Sequence, residues 1–189
     1  EAFSSLLQDL PKDTGLAFVL IQHLDPTKKS ALAQLLSKAT EMPVSEIVHD
    51  MVAEPNHVYV IPPACQLSIS KGRLQLRKDP KRQTPVRRID HFFESLAKDR
   101  QEHAIGVVLS GTGMDGTIGL ESIKAEGGIT FCQDATALHN SMPQSALATG
   151  CVDFVLSPRG IASELARIGA HPFIAGAAKK MSKARELKA

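Results

Sequence analysis

Short runs of continuous apolar residues, separated by helix-like segments, constrain the fold of this chain more than any other feature. Residues 17–22 read AFVLIQ, and residues 104–109 and 129–133 are similarly apolar. Continuous apolar character is typical of a parallel strand covered on both faces, whereas strict alternation is typical of a half-solvated strand. We therefore predict an α/β fold of three layers, with a doubly wound, mainly parallel sheet.

Other segments predict the remaining elements. Residues 66–70 and 73–77 alternate in polarity around Lys71-Gly72, which indicates an inserted antiparallel hairpin. Asp25-Pro26 supplies an N-cap and a first-turn proline for a helix that continues to about Leu36. Further helices are predicted at residues 2–10, 88–96, 117–125, 142–148 and 158–168, and further strands at residues 44–49, 57–61 and 152–156.

Composition narrows the class of protein. The chain has 189 residues, 43% of them apolar, which suits one domain with a full core. No apolar run approaches the roughly 20 residues of a membrane span, so we expect a soluble cytoplasmic protein that does not insert into membranes. The three cysteines are widely spaced without a Cys/His cluster, so we expect neither a disulfide framework nor a metal site. We also expect no cofactor. Two basic stretches, at residues 71–88 and 176–189, lack aromatic residues between their cations, which argues against nucleic-acid binding.

Residues 110–116, SGTGMDG, form a glycine-rich loop between an apolar run and a helix-like run. The glycines match the dinucleotide-binding pattern G-x-G-x-x-G, and Asp134 lies at about the distance expected of a ribose-binding acid. Asp115, however, puts a carboxylate where pyrophosphate needs bare N–H groups, and too few strands follow for the usual dinucleotide fold. Two other interpretations remain, in which Asp115 is a fixed catalytic carboxylate or only a helix cap.

His23 and Asp115 both follow predicted strands, and the carboxyl ends of such strands converge on one crevice. A histidine oriented by a carboxylate supplies two members of a Ser-His-Asp triad. The third member is missing, since no G-x-S-x-G motif occurs in the sequence. Taken singly, each residue has a simpler structural explanation, Asp115 as a helix cap and His23 as a partly exposed residue at the end of a strand.

Five segments, taken together, point to a known family. They are residues 18–23 (FVLIQH), 58–63 (VYVIPP), 108–116 (VLSGTGMDG), 133–134 (QD) and 142–146 (MPQSA). In this order they resemble the catalytic domain of the bacterial chemotaxis protein-glutamate methylesterases. The likeness is strongest to the esterase module of fusion proteins that also contain a methyltransferase module, and residues 55–59 and 89–93 support it.

The resemblance implies a set of site residues. His23 resembles the general base of the family, and Asp115 resembles the acid that orients it. The backbone N–H near Thr112 resembles one donor of the oxyanion hole, and Met142 resembles a residue that lines the same crevice. These roles follow from the likeness and not from the spacing of the residues.

The nucleophile of the family is a serine in a glycine turn, which would fall upstream of Glu1. Residues 2–10 have a helical pattern, yet no Ser, Thr, Asp or Asn precedes them as an N-cap. We therefore expect the first strand and the nucleophile turn to precede this sequence.

The family's reaction is hydrolysis of glutamyl methyl esters on the helices of methyl-accepting chemoreceptors, with glutamine deamidation as a related reaction, in bacterial phosphorelay signalling. We expect residues 1–170 to be the methylesterase-like catalytic domain. Residues 171–189 would be a basic tail or a linker to a fused or adjacent methyltransferase module. The alternative, for a chain without a nucleophile, is a catalytically inert interaction module of a larger signalling protein.

Overall fold

The computed structural model describes residues 1–22, 32–78 and 87–172. Its helices are α1 (Ala2–Gln8), α2 (Leu32–Leu36), α3 (Arg88–Arg100), α4 (Thr117–Ala125), α5 (Ser141–Ala148) and α6 (Pro158–Gly169). Its strands are β1 (Ala17–Leu20), β2 (Val44–Glu46), β3 (Met51–Val52), β4 (His57–Val60), β5 (Cys65–Ser70), β6 (Arg73–Lys78), β7 (Ile105–Val108), β8 (Ile129–Gln133) and β9 (Phe154–Leu156). No helix in these ranges is long and apolar enough to cross a membrane.

The parallel strands are hydrogen-bonded in two groups of three. In the first group β4 lies between β1 and β2, with Ala17 of β1 opposite His57 of β4. In the second group β8 lies between β7 and β9, with Val108 of β7 opposite Cys132 of β8. The parallel sheet thus consists of two groups, and a cleft separates the edge of β1 from the edge of β7.

Two hydrophobic cores lie on opposite faces of these strands, which confirms the predicted three-layer α/β architecture. The core beneath α1, α2 and α6 includes Leu7, Leu36, Val58, Phe131, Ile161 and Leu165. The core beneath α3, α4 and α5 includes Tyr59, Phe92, Val108, Leu120, Ile123 and Cys132. Each core contains residues of both strand groups, so the two groups pack as one body despite the cleft between them.

The antiparallel hairpin lies where the sequence predicts it. β5 and β6 pair with Ser70 opposite Arg73, and Lys71 and Gly72 between them have φ values of 51° and 73°. Positive φ at both turn residues is the requirement of a tight two-residue hairpin turn. The carboxylate of Asp99, near the end of α3, accepts hydrogen bonds from the N–H groups of Lys71 and Gly72. This contact fixes the hairpin turn against α3.

Differences between the predicted and observed elements are small. β3 was not predicted, because a strand of two residues is too short to show a period. Helix α3 extends to Arg100, whereas its apolar stripe predicted an end near Leu96. The predicted helix start at Asp25-Pro26 lies outside the described residues, and so does almost all of the basic tail, at residues 173–189.

Helices α3 and α4 approach each other closely at Gly119. A Cβ atom added there would lie 2.4 Å from the Cβ of Phe93 and 3.0 Å from the Cα of Asp90. Backbone and near-backbone atoms cannot move aside as the end of a flexible side chain can. Glycine at this position therefore sets the distance between the two helices.

We expect Gly119→Ala to lower the free energy of unfolding by about 1–3 kcal/mol, because the added methyl group must displace Phe93 or the backbone of α3. Urea denaturation measures this change. Glu121→Ala, at an exposed position of the same helix, is the control and should change stability by less than about 0.5 kcal/mol. A Gly119→Ala protein as stable as its parent would contradict the described packing.

Candidate active site

A cleft of about 760 Å³ lies between the facing edges of β1 and β7. Val19 and Ile21 line one side of it, and Val107 and Leu109 line the other. The loops after β7 and β8 also contribute to its wall, through Ser110, Gly111, Thr112, Gln133, Thr136, Leu138, His139 and Met142. The cleft therefore reaches the carboxyl ends of the strands, where open α/β sheets bind their ligands.

The glycine loop after β7 is held by the segment that leads into α5. The N–H of Gly111 donates to the carbonyl of His139 at 2.9 Å, and the carbonyl of Gly111 accepts from the N–H of Met142 at 3.1 Å. Ser141 Oγ accepts a hydrogen bond from the N–H of Gly113 at 3.1 Å. These bonds commit two of the loop's N–H groups to protein acceptors, which disfavours the dinucleotide interpretation.

A side chain at position 111 would displace the side chain of Met142. A Cβ atom there would lie 2.3 Å from Sδ of Met142, whose side chain is buried and lines the cleft. Met142, which was predicted to line the crevice, lies in the cleft and contacts the loop directly. Its side chain packs against the loop backbone at this point.

Thr112 differs from its neighbours in the loop. Its residue is exposed and lines the cleft, and within the part of the chain that the structure describes its N–H has no acceptor. The flanking N–H groups of Gly111 and Gly113 are both bonded. The loop therefore presents one available backbone donor at the cleft.

The carboxylate of Asp115 lies at the N-terminus of α3. Its Oδ2 accepts from the N–H of Ile89 at 3.1 Å, and its Oδ1 accepts from the N–H of Asp90 at 2.9 Å. Asp115 therefore caps a helix, although not α4, the helix that it precedes. The residue does not itself line the cleft, but Ile89 beside it does.

Asp90 makes the reciprocal contact at the N-terminus of α4. Its side chain is almost fully buried, and its Oδ1 accepts from the N–H groups of Gly116 at 3.0 Å and Gly119 at 2.7 Å. Its Oδ2 lies 2.8 Å from a guanidinium nitrogen of Arg87. Asp115, which precedes α4, thus caps α3, and Asp90, which lies in α3, caps α4.

Burial raises the pKa of the Asp90 carboxyl above its ordinary value, and the nearby charge of Asp115 acts in the same direction. The N–H groups of Gly119 and Gly116 and the charge of Arg87 oppose this shift without cancelling it. The charged form of Asp90 is therefore held in place by its hydrogen bonds, although burial disfavours its charge.

The structure brings the predicted site residues together only in part. Thr112 and Met142 both line the cleft, and Asp115 lies at the far end of the same loop. His23 lies outside the described residues, although Gln22, which precedes it, lines the cleft. The carboxylate of Asp134 accepts from the N–H and hydroxyl of Thr136, as in an ordinary turn.

Sequence reasoning missed three residues around the loop. Asp90, His139 and Ser141 all contact it through hydrogen bonds, yet the sequence analysis assigned none of them a role. The sequence contains one indication of a site residue among them, since Ser141 directly precedes Met142. In the described ranges, no group of three His, Cys, Asp or Glu residues is arranged to hold a metal ion.

The three-layer fold and the loop-lined cleft define a domain of the α/β class. Residues 1–165 match the family model described as CheB methylesterase. The chain is 36% identical over 167 residues to a protein-glutamate methylesterase/protein-glutamine glutaminase of Burkholderia lata, which covers 87% of this chain and 49% of the relative. The chain therefore belongs to the CheB methylesterase family, and it spans about half the length of the curated relatives it matches.

Two further similarities extend this result. The crystal structure of the Thermotoga maritima CheB methylesterase catalytic domain matches with a TM-score of 0.80 and 27% identity, over 88% of this chain and 91% of that one. An uncharacterised 104.1 kDa protein of Rhodobacter capsulatus is 39% identical over 126 residues, which are 66% of this chain and 13% of that protein. A segment similar to this chain thus also occurs as a small part of a much longer polypeptide.

We expect Asp90→Asn to gain stability relative to the parent as the pH rises. A raised folded-state pKa means that the folded protein binds this proton more tightly than the unfolded chain, whose carboxyl titrates near 3.8. The parent therefore loses free energy of unfolding as the pH rises from about 3.8 through the raised pKa, and the asparagine variant does not. Urea denaturation of both proteins across this range measures the difference.

Asp153→Asn is the control with the opposite sign. Burial alone would raise the pKa of Asp153, but its hydrogen bonds to Lys124 and Thr130 outweigh burial and lower it. The parent should therefore gain stability over Asp153→Asn as the pH rises toward neutrality. Equal pH dependence of the two variants relative to the parent would contradict these assignments.

Proposed function

We propose that this domain is the catalytic part of a serine-type carboxylic ester hydrolase that cleaves glutamyl methyl esters on a protein. The observation that carries the proposal is the glycine loop. It presents the available N–H of Thr112 at the cleft while the carboxylate of Asp115 is fixed on α3 behind it. The names of the curated relatives, which combine a methylesterase with a glutaminase, support both ester hydrolysis and glutamine deamidation.

The proposed reaction follows the order of a serine triad. A serine hydroxyl attacks the ester carbonyl, and His23 takes the hydroxyl proton. The N–H of Thr112 donates to the oxyanion of the tetrahedral intermediate, which is the role that an uncommitted backbone donor fits best. His23 then returns the proton to the departing methoxide, methanol leaves, and water hydrolyses the acyl-serine to release the glutamate side chain. Asp115 holds the imidazole in the required tautomer.

The same proposal assigns a source to the nucleophile. β1 and β7 each have one edge that is unpaired in the described residues, and both edges line the cleft. Unpaired strand edges present rows of N–H and C=O groups that another strand satisfies. We place a further strand in this gap, supplied by chain that precedes Glu1, since Glu1 and Ala2 also line the cleft. Its carboxyl end would carry the serine to the loop that holds Thr112.

The finer assignments rest on family membership. We place the activity in the cytoplasm of a bacterium, on methyl-accepting chemoreceptors or similar signalling proteins. The matched protein of Rhodobacter capsulatus, of which the likeness covers 13%, supports attachment of this domain to other modules, and a methyltransferase module is the one proposed here. Residues 171–189 would then serve as the linker.

We expect His23→Ala, made in the polypeptide that includes the preceding strand, to lower kcat by about 10⁴-fold or more, since it removes the base. Asp115→Asn should lower kcat by about 10³–10⁴-fold, because the imidazole loses its orienting partner. The assay is methanol release from a methylated receptor fragment. His91→Ala and Asp134→Asn are the controls, since both residues lie outside the proposed machinery.

A serine-directed fluorophosphonate tests the nucleophile separately. Labelling of one serine N-terminal to residue 1, lost when that serine is replaced by alanine, would support the proposed strand. Full activity of His23→Ala would overturn the assignment of the base. The absence of both labelling and methanol release would instead favour an inert interaction module.

A further inference from the structure

Asp90 and Asp115 are joined by a closed pair of hydrogen bonds. The N–H of Asp90 donates to Oδ1 of Asp115 at 2.9 Å, and the N–H of Gly116 donates to Oδ1 of Asp90 at 3.0 Å. Gly116 follows Asp115 directly in the chain. Each residue of the pair therefore receives a bond from the other residue's segment and returns one to it.

The bond to Gly116 fixes the backbone next to Asp115. Gly116 has a φ of 99°, a conformation that side-chain-bearing residues rarely adopt, and an added Cβ there would lie 2.9 Å from a methyl carbon of Ile89. Its N–H belongs to the peptide that links it to Asp115. Holding this peptide therefore sets the direction in which the Asp115 side chain leaves the chain.

The second bond of Asp90 anchors the same unit to α4. Oδ1 also accepts from the N–H of Gly119 at 2.7 Å, at a position where α3 and α4 are in close contact. Arg87 supplies the compensating charge at Oδ2. Because Asp90 is only 2% exposed, removal of its carboxylate leaves the buried N–H groups of Gly116 and Gly119 without this acceptor.

Asp99, another carboxylate of α3, also accepts hydrogen bonds from backbone N–H groups and serves as a comparison for Asp90. Asp99 accepts from two consecutive N–H groups of the hairpin turn, as Asp90 accepts from two N–H groups of α4. Asp99 lies at the opposite end of the helix and does not contact the glycine loop. Loss of either carboxylate removes a comparable number of backbone bonds, but only one of them touches the segment of Asp115.

We propose that Asp90 is a positioning residue for the reaction, which holds the Asp115 carboxylate in the orientation that its partner imidazole requires. This inference rests on the proposed function. It assigns the effect to hydrogen-bond geometry, and not to the charge of Asp90. A misplacement of about 1 Å at a reacting group is enough to cost about 10²-fold in rate.

The experiment compares Asp90→Ala, Asp90→Asn and Asp90→Glu with the control Asp99→Ala in the polypeptide that includes the proposed nucleophile. Asp90→Ala and Asp90→Glu should lower kcat by about 10–100-fold with KM changed less than about 2-fold, because the acceptor is lost or displaced. Asp90→Asn keeps an oxygen acceptor of the same length and should retain kcat within about 3-fold. Asp99→Ala should lose stability but not kcat.

A double-variant cycle separates positioning from general damage. In an Asp115→Asn background, Asp90→Glu should cause no further loss of kcat, since Asp115 then no longer orients the base. An equal loss of kcat in both backgrounds would overturn the proposal. So would an Asp90→Glu protein as active as the parent, or an Asp90→Asn protein as impaired as Asp90→Glu.

Hydrogen exchange provides a readout that needs no activity. The N–H of Ile89 is bonded to Oδ2 of Asp115, so displacement of that carboxylate should speed its exchange by about 10-fold in Asp90→Glu and not in Asp99→Ala. Unchanged exchange at Ile89 would overturn the positioning role even if the protein proved to have no esterase activity. Full activity in His23→Ala, by contrast, would overturn the proposed function and leave the exchange result intact.

Discussion

The meeting of two helix N-termini is the interaction on which the loop geometry depends. α3 and α4 begin beside each other, so two partial positive charges and two sets of unpaired N–H groups lie at one place. Asp90 and Asp115 resolve this conflict, since each carboxylate satisfies N–H groups of the other helix. Gly119 permits the approach because it adds no side chain between the helices. These contacts therefore fix the C-terminal end of the glycine loop, at Asp115 and Gly116.

Much of the fold could be predicted from the sequence because its signals are local. The continuous apolar strands, the Lys71-Gly72 turn and the helix that starts at Pro158 each depend on a few adjacent residues. The cleft between β1 and β7 could not be predicted in the same way. It depends on which strand edges meet across the molecule, and no pattern along either strand records the neighbour of its edge.

The candidate site divides along the same line. Residue type and position at a strand exit marked Asp115, and the family likeness marked Thr112 and Met142, both of which line the cleft. Residues 89–93 supported the likeness, but no role was predicted for Asp90, since an acidic residue in the first turn of a helix is ordinary. Its reciprocal bonds join positions 26 and 29 residues apart along the chain, so only the folded structure identifies them.

The division of the parallel strands has a consequence for how the molecule folds. β1, β2 and β4 come from the first third of the chain, and β7, β8 and β9 come from a later continuous stretch. Among the described residues, the strands of each group hydrogen-bond only with one another, so each set of pairings lies within one stretch of the chain. Because each hydrophobic core contains residues of both groups, the two halves complete their cores only together, and their joining is the step that depends on long-range contacts.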